Sequence, residues 1–297
     1  MIDDGDIDYR NRSLEQLRES CWNIDRQHYP KNLQNLLREL AARGGTDPTT
    51  EAVPEKASET RGSARVLFEF AKGAYCTSAI CVALLAIFAL EFLCRGPGSG
   101  IENSVAAAGL IKSSAVHGEW WRLLTGALLH ANMNHVYYNV VALFLFGGVV
   151  ERIASRPILP LVVLLSALGG SVASLMLLPN TTTVGISGAV MGVMGFFLAY
   201  QLTRSPRLPL GAFVWVGANI GINLVVGAVA YSTIDNAAHI GGLLTGLLLG
   251  AMFTASHRAE NQMPIQLPAT ARVLGLSSAT VLIAAIGFTV FRLLAAS

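Results

Sequence analysis

Hydrophobic positions along this chain follow two different patterns. Near the N-terminus they recur among polar residues at helical spacing: Leu33, Leu36, Leu37 and Leu40 lie at i, i+3, i+4 and i+7 and share one face. Ahead of them, Ser13-Leu14-Glu15-Gln16 has capping-box form, with Ser13 as N-cap and Gln16 three residues later, and predicts a helix start. Tyr29-Pro30 breaks that helix, and residues 31–43 read as a second one that stops at Gly44-Gly45. Residues 1–44 are therefore expected to form a small helical hairpin. So small a core is expected to lean on a partner or on a second copy in a homodimer. Residues 45–62, rich in Thr, Pro, Glu and Ser, read as flexible chain, and the segment 45–72 is taken as a linker.

Beyond it the pattern changes. Seven apolar runs cover residues 73–94, 122–150, 157–178, 184–203, 210–231, 236–255 and 272–295. Each is close to the ~20 residues that cross a bilayer as a helix. The fold class predicted is an all-α polytopic membrane bundle. It has six spans over 73–255, a seventh within 256–297, and a small helical cytosolic segment in front. Lys and Arg in short connections set the orientation. Arg61, Arg65 and Lys72 precede the first span, Arg152 and Arg156 follow the second, Arg204 and Arg207 follow the fourth, and Arg258 and Arg272 bracket the sixth-to-seventh link. The N-terminus is then cytoplasmic and the last residue outside. One connection dissents: residues 95–121, on the outer side, carry Arg95 and Lys112, with Arg122 just beyond.

Composition agrees with a membrane domain: of 297 residues 53% are hydrophobic and 13% charged, against about 25% charged in soluble domains. Residues 1–66 carry ten Lys+Arg and twelve Asp+Glu, and the rest carries eleven and seven, so the soluble segment is acidic and the apolar one basic. The opening residues lack the basic leader and apolar core of a secretory signal peptide. Cys21, Cys76, Cys81 and Cys94 show no C-x-x-C spacing and read as small hydrophobes. No cofactor, metal site or nucleic-acid partner is expected.

The candidate chemistry lies in the outer halves of three spans. Ser187 stands between Gly185 and Gly188 near the start of the fourth run. Small residues in a span usually serve helix packing, and that reading stays open for this stretch alone. A histidine, His239, lies about as far into the sixth run. Both runs go from outside to inside, so at 1.5 Å per residue the serine and the histidine share one level, ~5 Å below their helix starts. Glycines at 188, 192 and 195 in one span, and at 242, 246 and 250 in the other, would let the helices approach closely. A serine and a histidine brought together that way are the minimum for nucleophilic catalysis. The second run adds His130, His135 and Asn139, the last two at i, i+4 and expected to face inward. Zinc is a poorer reading, because His130 and His135 would lie about 140° apart on a regular helix. Coupled ion transport is disfavoured because no Asp, Lys or Arg sits mid-span. The soluble-hydrolase pattern G-x-S-x-G is absent, and no strand is expected before Ser187.

Four motifs in order, Trp121-Arg122, His130-x4-His135-x3-Asn139, Gly185-Ile186-Ser187-Gly188 and Ala238-His239-x2-Gly242-x3-Gly246, resemble those of the rhomboids, the family of intramembrane serine proteases. The resemblance covers about residues 70–255. It implies Ser187 as nucleophile and His239 as base, with no acidic third member. His135, Asn139 and the Ser187 N–H would hold the oxyanion, with His130 in support. Trp121-Arg122 would anchor the first loop at the membrane surface, and Gly185, Gly188, Gly242 and Gly246 would be structural. Asp235 is expected to be a solvated loop residue. Where many members carry a Tyr four residues after the nucleophile, this chain has Met191. The resemblance further implies transmembrane protein substrates, with small residues at the cut, met in the lipid bilayer between the second and fifth spans. A bacterial inner membrane is the expected location. The rival from another class is a non-proteolytic rhomboid-like protein that binds membrane clients.

Overall fold

The structure, a computed structural model, describes residues 4, 7–26, 28–47, 73–94, 101–154, 156–203, 210–229, 234–255 and 269–296. The chain divides into two units, Met1–Val66 and Leu67–Ser297. Most of the expected linker, the link 256–268, and Arg61, Arg65, Lys72, Arg95, Arg204, Arg207 and Arg258 lie outside the described residues.

In the first unit the capping box forms as the spacing predicts. Gln16 N donates to Ser13 Oγ at 3.2 Å and Ser13 N to Gln16 Oε1 at 2.9 Å, opening α1 (Leu14–Asn23). Pro30 occupies the first turn of α2 (Pro30–Ala42), where its missing N–H costs nothing. Leu36 and Leu40 bury against Leu17, Cys21 and Tyr9, with Leu37 packed on the margin. Two Arg26–Asp47 hydrogen bonds of 3.1 Å, and Arg43 donating to the Arg12 carbonyl at 2.7 Å, fasten the ends. The hairpin thus closes a small core of its own.

The second unit begins with α3 (Tyr75–Cys94), followed by a structured connection: α4 (Glu102–Ala108), β1 (Leu110–Ile111), α5 (Lys112–Val116) and α6 (Arg122–Thr125). Then come α7 (Met133–Ile153), α8 (Ile158–Leu177), β2 (Thr182–Thr183), α9 (Ser187–Thr203), α10 (Leu210–Val229), α11 (Asn236–Ala255) and α12 (Ala269–Ala296). Among the described residues five helices, α3, α7, α8, α11 and α12, are long and apolar enough to cross a membrane, and α9 and α10 supply shorter apolar stretches. The protein is an integral, multi-pass membrane protein built as a helix bundle.

The middle of that bundle is α9. It has no polar face, so it can be satisfied only by burial on all sides, and Ala189, Val190, Val193, Met194, Phe196, Phe197 and Tyr200 are all buried. Along it runs α11, backbone against backbone: a Cβ on Gly242 would overlap the carbonyl group of Gly188, and one on Gly246 that of Gly192. On a further side lies α8, where a Cβ at Gly170 would meet the Ala238 carbonyl oxygen at 2.7 Å.

One expectation needs correction. The run 122–150 is not one helix. After α6 and a 3-10 turn (Gly126–Leu128) the backbone extends at Leu129, and α7 starts only at Met133, capped by Asn132 accepting from His135 N at 2.9 Å. Two basic residues of the first connection and its end, Lys112 and Arg122, are buried. Arg122 is 4% exposed, and its guanidinium donates to the carbonyls of Val105, Ala106 and Gly109 and to Glu119. It satisfies the C-terminal end of α4 from inside the loop. Trp121, half-buried, lies under the guanidinium carbons of Arg122 (4.6 Å) and Arg292 of α12 (4.7 Å), with Phe288 edge-on at 5.2 Å. The seventh span therefore packs on the first loop.

Two carboxylates complete the frame. Glu151, 4% exposed, accepts from the N–H groups of Cys76 and Thr77 and from the Thr77 hydroxyl, all within 3.0 Å. It caps the open N-terminal end of α3. Glu91 of α3 accepts from His130 N at 3.1 Å and fixes the extended segment before α7.

Candidate active site

Thr182–Thr183 pairs antiparallel with β1, Leu110 opposite Thr183 and Ile111 opposite Thr182. A short strand thus does precede Ser187, which the sequence reading did not expect. Two residues later Gly185 turns the chain at φ +119°, a region that disfavours any side chain, while its N–H donates to Gly126 O at 3.0 Å. The helix then starts at Ser187 itself, not a turn earlier, because the residues before it are committed to the strand and the turn. Ser187 is half-buried. As the first residue of a helix it has no carbonyl four residues back, and its N–H is left for another acceptor.

His239, the fourth residue of α11, reaches across so that Nε2 stands 2.9 Å from Ser187 Oγ. The two side chains predicted to meet do meet. The glycine contacts explain why: nothing but hydrogen separates the two helix backbones one turn below. His239 Nδ1 is buried and has no hydrogen-bond partner among the described residues, so no acidic third member holds the ring.

The other expected residues gather on the far side of Gly185. A Cβ there would lie 2.5 Å from His135 Cε1 and 2.7 Å from Nε2, so the His135 ring rests on the glycine itself. Asn139, one turn along α7, is 6% exposed, and its Nδ2 amide has no hydrogen-bond partner among the described residues. A buried, unpaired donor is costly, and here it lies one turn from a ring that borders the serine. His130 is fully buried outside α7, with its ring edge-on to His135 at 5.1 Å. The helical separation of about 140° therefore does not apply to it, and it backs His135. Even so, no group of three His, Cys, Asp or Glu suited to a metal ion occurs among the described residues. Met191 is buried in the core, 2% exposed.

Asp235 requires the largest correction. It is no solvated loop residue. Its carboxylate caps α11 by accepting from Ala238 N at 2.9 Å, and it also accepts from Thr183 Oγ1 at 2.7 Å and from Ser174 Oγ. Lys112, 2% exposed, stands 4.0 Å away and donates to Leu178 O and Thr181 Oγ1, both at 2.6 Å. Burial pushes the Lys112 ammonium below the ordinary lysine value, and the Asp235 carboxylate pulls it back up. An acidic residue directly before an apolar helical run is a recognisable N-cap signal. Lys112 gave no such sign.

The fold and site define a polytopic helical membrane protein with a half-buried serine and a buried histidine meeting at the end of two glycine-packed helices. The Rhomboid domain family matches residues 117–256. The chain is 32% identical over 194 residues to rhomboid protease GluP of Bacillus subtilis, covering 64% of this chain and 37% of that protein. It is 37% identical over 175 residues to the mitochondrial RHOMBOID-like protein 6 of Arabidopsis thaliana, covering 56% and 55%. With rhomboid protease GlpG of Haemophilus influenzae the figures are 33% over 131 residues, covering 43% and 67%. The chain thus spans little more than a third of the first of these relatives and about half of the second. It belongs to the rhomboid family.

Proposed function

We propose that this protein is an intramembrane serine endopeptidase that cuts within or beside the transmembrane segments of other proteins. The observation that carries the reading is the 2.9 Å approach of His239 Nε2 to Ser187 Oγ. Neutral imidazole takes the serine proton near pH 7 as Oγ attacks the scissile carbonyl. The oxyanion that forms is met by the Ser187 N–H, the Asn139 amide and the His135 ring. His239 then hands its proton to the leaving amine as the C–N bond breaks, and a water, deprotonated by the same ring, releases the acyl group from Oγ. Without a carboxylate on Nδ1, the ring is positioned by its helix and by packing alone.

A helical substrate hides its carbonyls in its own hydrogen bonds, so the segment must unwind before Ser187 can reach it. Similarity to the rhomboid proteases GluP and GlpG supports the reading. The proposed location is a bacterial inner membrane, with the N-terminal hairpin cytoplasmic and the site toward the outer face. The test is incubation of purified protein with a fluorogenic transmembrane peptide beside Ser187→Ala. Cleavage is expected from the wild type alone, and cleavage that survives in the variant would refute the proposal.

A further inference from the structure

The two reacting side chains sit on different helices, so something must set the distance between the helix starts. Glycine contacts fix how closely α9 and α11 pack, but they leave the helices free to slide along each other. Asp235 supplies what is missing. It stands four residues before His239, and its partner Thr183 stands four residues before Ser187. One carboxylate therefore caps the helix of the base and accepts from the strand that leads to the nucleophile. Through Ser174 it also holds the end of α8. Lys112, next in sequence to the strand paired with β2, provides the counter-charge from the first loop. Four segments end on a single oxygen pair.

We infer that Asp235, with Lys112, is a positioning residue that fixes the register of Ser187 against His239. It is not the third member of a triad, since no carboxylate reaches His239 Nδ1 among the described residues. A half-buried carboxylate with this many donors is held firmly, because each hydrogen bond is to a charged acceptor. A shift of about 1 Å between reacting groups costs on the order of 10²-fold in rate. The register of the node is therefore felt at the serine. This role rests on the protease reading, although the contact itself can be measured without turnover.

The test compares Asp235→Asn, Lys112→Met, their double variant, Thr183→Val and Thr183→Ser with wild type and Ser187→Ala in the full chain. Asparagine retains an acceptor for the Ala238 N–H, so the cap survives, while the charge and the Oδ2 acceptor shared by Thr183 and Ser174 are lost. For Asp235→Asn, kcat on a fluorogenic transmembrane peptide should fall by about 10–100-fold with KM little changed. The double variant should be no slower than Asp235→Asn, because the two act as one unit. Thr183→Ser keeps the hydroxyl and should keep most of the turnover, whereas the isosteric Thr183→Val should lose it. A second readout needs no activity: the imidazole NMR signal of His239, assigned with His239→Ala, should respond to Ser187→Ala in the wild-type background and no longer respond in Asp235→Asn. A folded Asp235→Asn protein with unchanged kcat, equal behaviour of the two Thr183 variants, or a His239 signal that still senses Ser187 would each overturn the inference. Inactive wild type with the expected NMR behaviour would overturn the protease reading and leave the positioning role standing.

Discussion

Replacing Gly242 with alanine puts one methyl group into the seam between α9 and α11, and the structure says what it meets. Its Cβ would stand 2.6 Å from the Gly188 carbonyl carbon and 3.0 Å from the Gly188 Cα, where ordinary contact begins near 3.4 Å. Both obstacles are backbone, so no rotamer change relieves them, and the helices must part by about 1 Å. Overpacking of this kind costs ~1–3 kcal/mol. At roughly 2–4 °C per kcal/mol for a unit of this size, the unfolding midpoint should drop by about 2–12 °C. The same 1 Å lies between Ser187 and His239, three residues up the helix, and should slow turnover on the order of 10²-fold. The control is Gly217→Ala on α10, where a new Cβ has no neighbour within 4 Å. There the better helix propensity of alanine should leave stability equal or slightly raised, by up to ~1 kcal/mol. Thermal unfolding in detergent and initial rates on a fluorogenic transmembrane peptide measure both quantities. Equal behaviour of Gly242→Ala and Gly217→Ala would refute the claim that backbone contact in this seam places the reacting groups.

Ser187→Ala should abolish labelling by a fluorophosphonate probe with the midpoint nearly unchanged, and adding His239→Ala should slow turnover no further, which rate measurements on the singles and the double will show. Asn139→Ala and His135→Ala should each lower kcat by about 10²–10³-fold while probe labelling persists, and unaltered turnover in a folded variant would make that residue structural only. Arg122→Met leaves three carbonyls and Glu119 without their buried donor; it should destabilise by ~3 kcal/mol or more, read as a loss of midpoint. A chain starting near Arg65 should cleave within a few fold of the whole protein, since no expected catalytic residue lies in the N-terminal unit. A folded but silent truncation would make the hairpin part of the enzyme.

The parts of this molecule that sequence reveals are those governed by period and type. Six of the seven apolar runs each became one helix among the described residues, and the small-residue spacing in the fourth and sixth runs became the seam that joins Ser187 to His239. The capping box at Ser13 formed as written. What escaped was decided by polar groups whose partners are distant along the chain. Asn132 restarts a helix inside an apolar run because its side chain offers His135 N a better acceptor than the preceding turn can. Asp235 looks like a solvated residue until Thr183 and Ser174 are folded onto it. Lys112 and Arg122 count as loop charges in any orientation rule, although both are buried and spent on carbonyl groups and carboxylates. No local pattern announces such pairings.

The meeting of Trp121 with Arg292 also bears on biosynthesis. A chain made from its N-terminus exposes Trp121 and the first loop long before α12 is synthesised, and six apolar helices precede α12 in the queue for insertion. During that interval the indole has Arg122 above it, and the loop that carries Gly126, the acceptor for Gly185 N, lacks the contacts α12 brings. The arrival of α12 adds Arg292 and Phe288 to the same ring and closes the loop. The brace on the loop that borders the nucleophile thus waits for α12, which lies about 150 residues further along the chain.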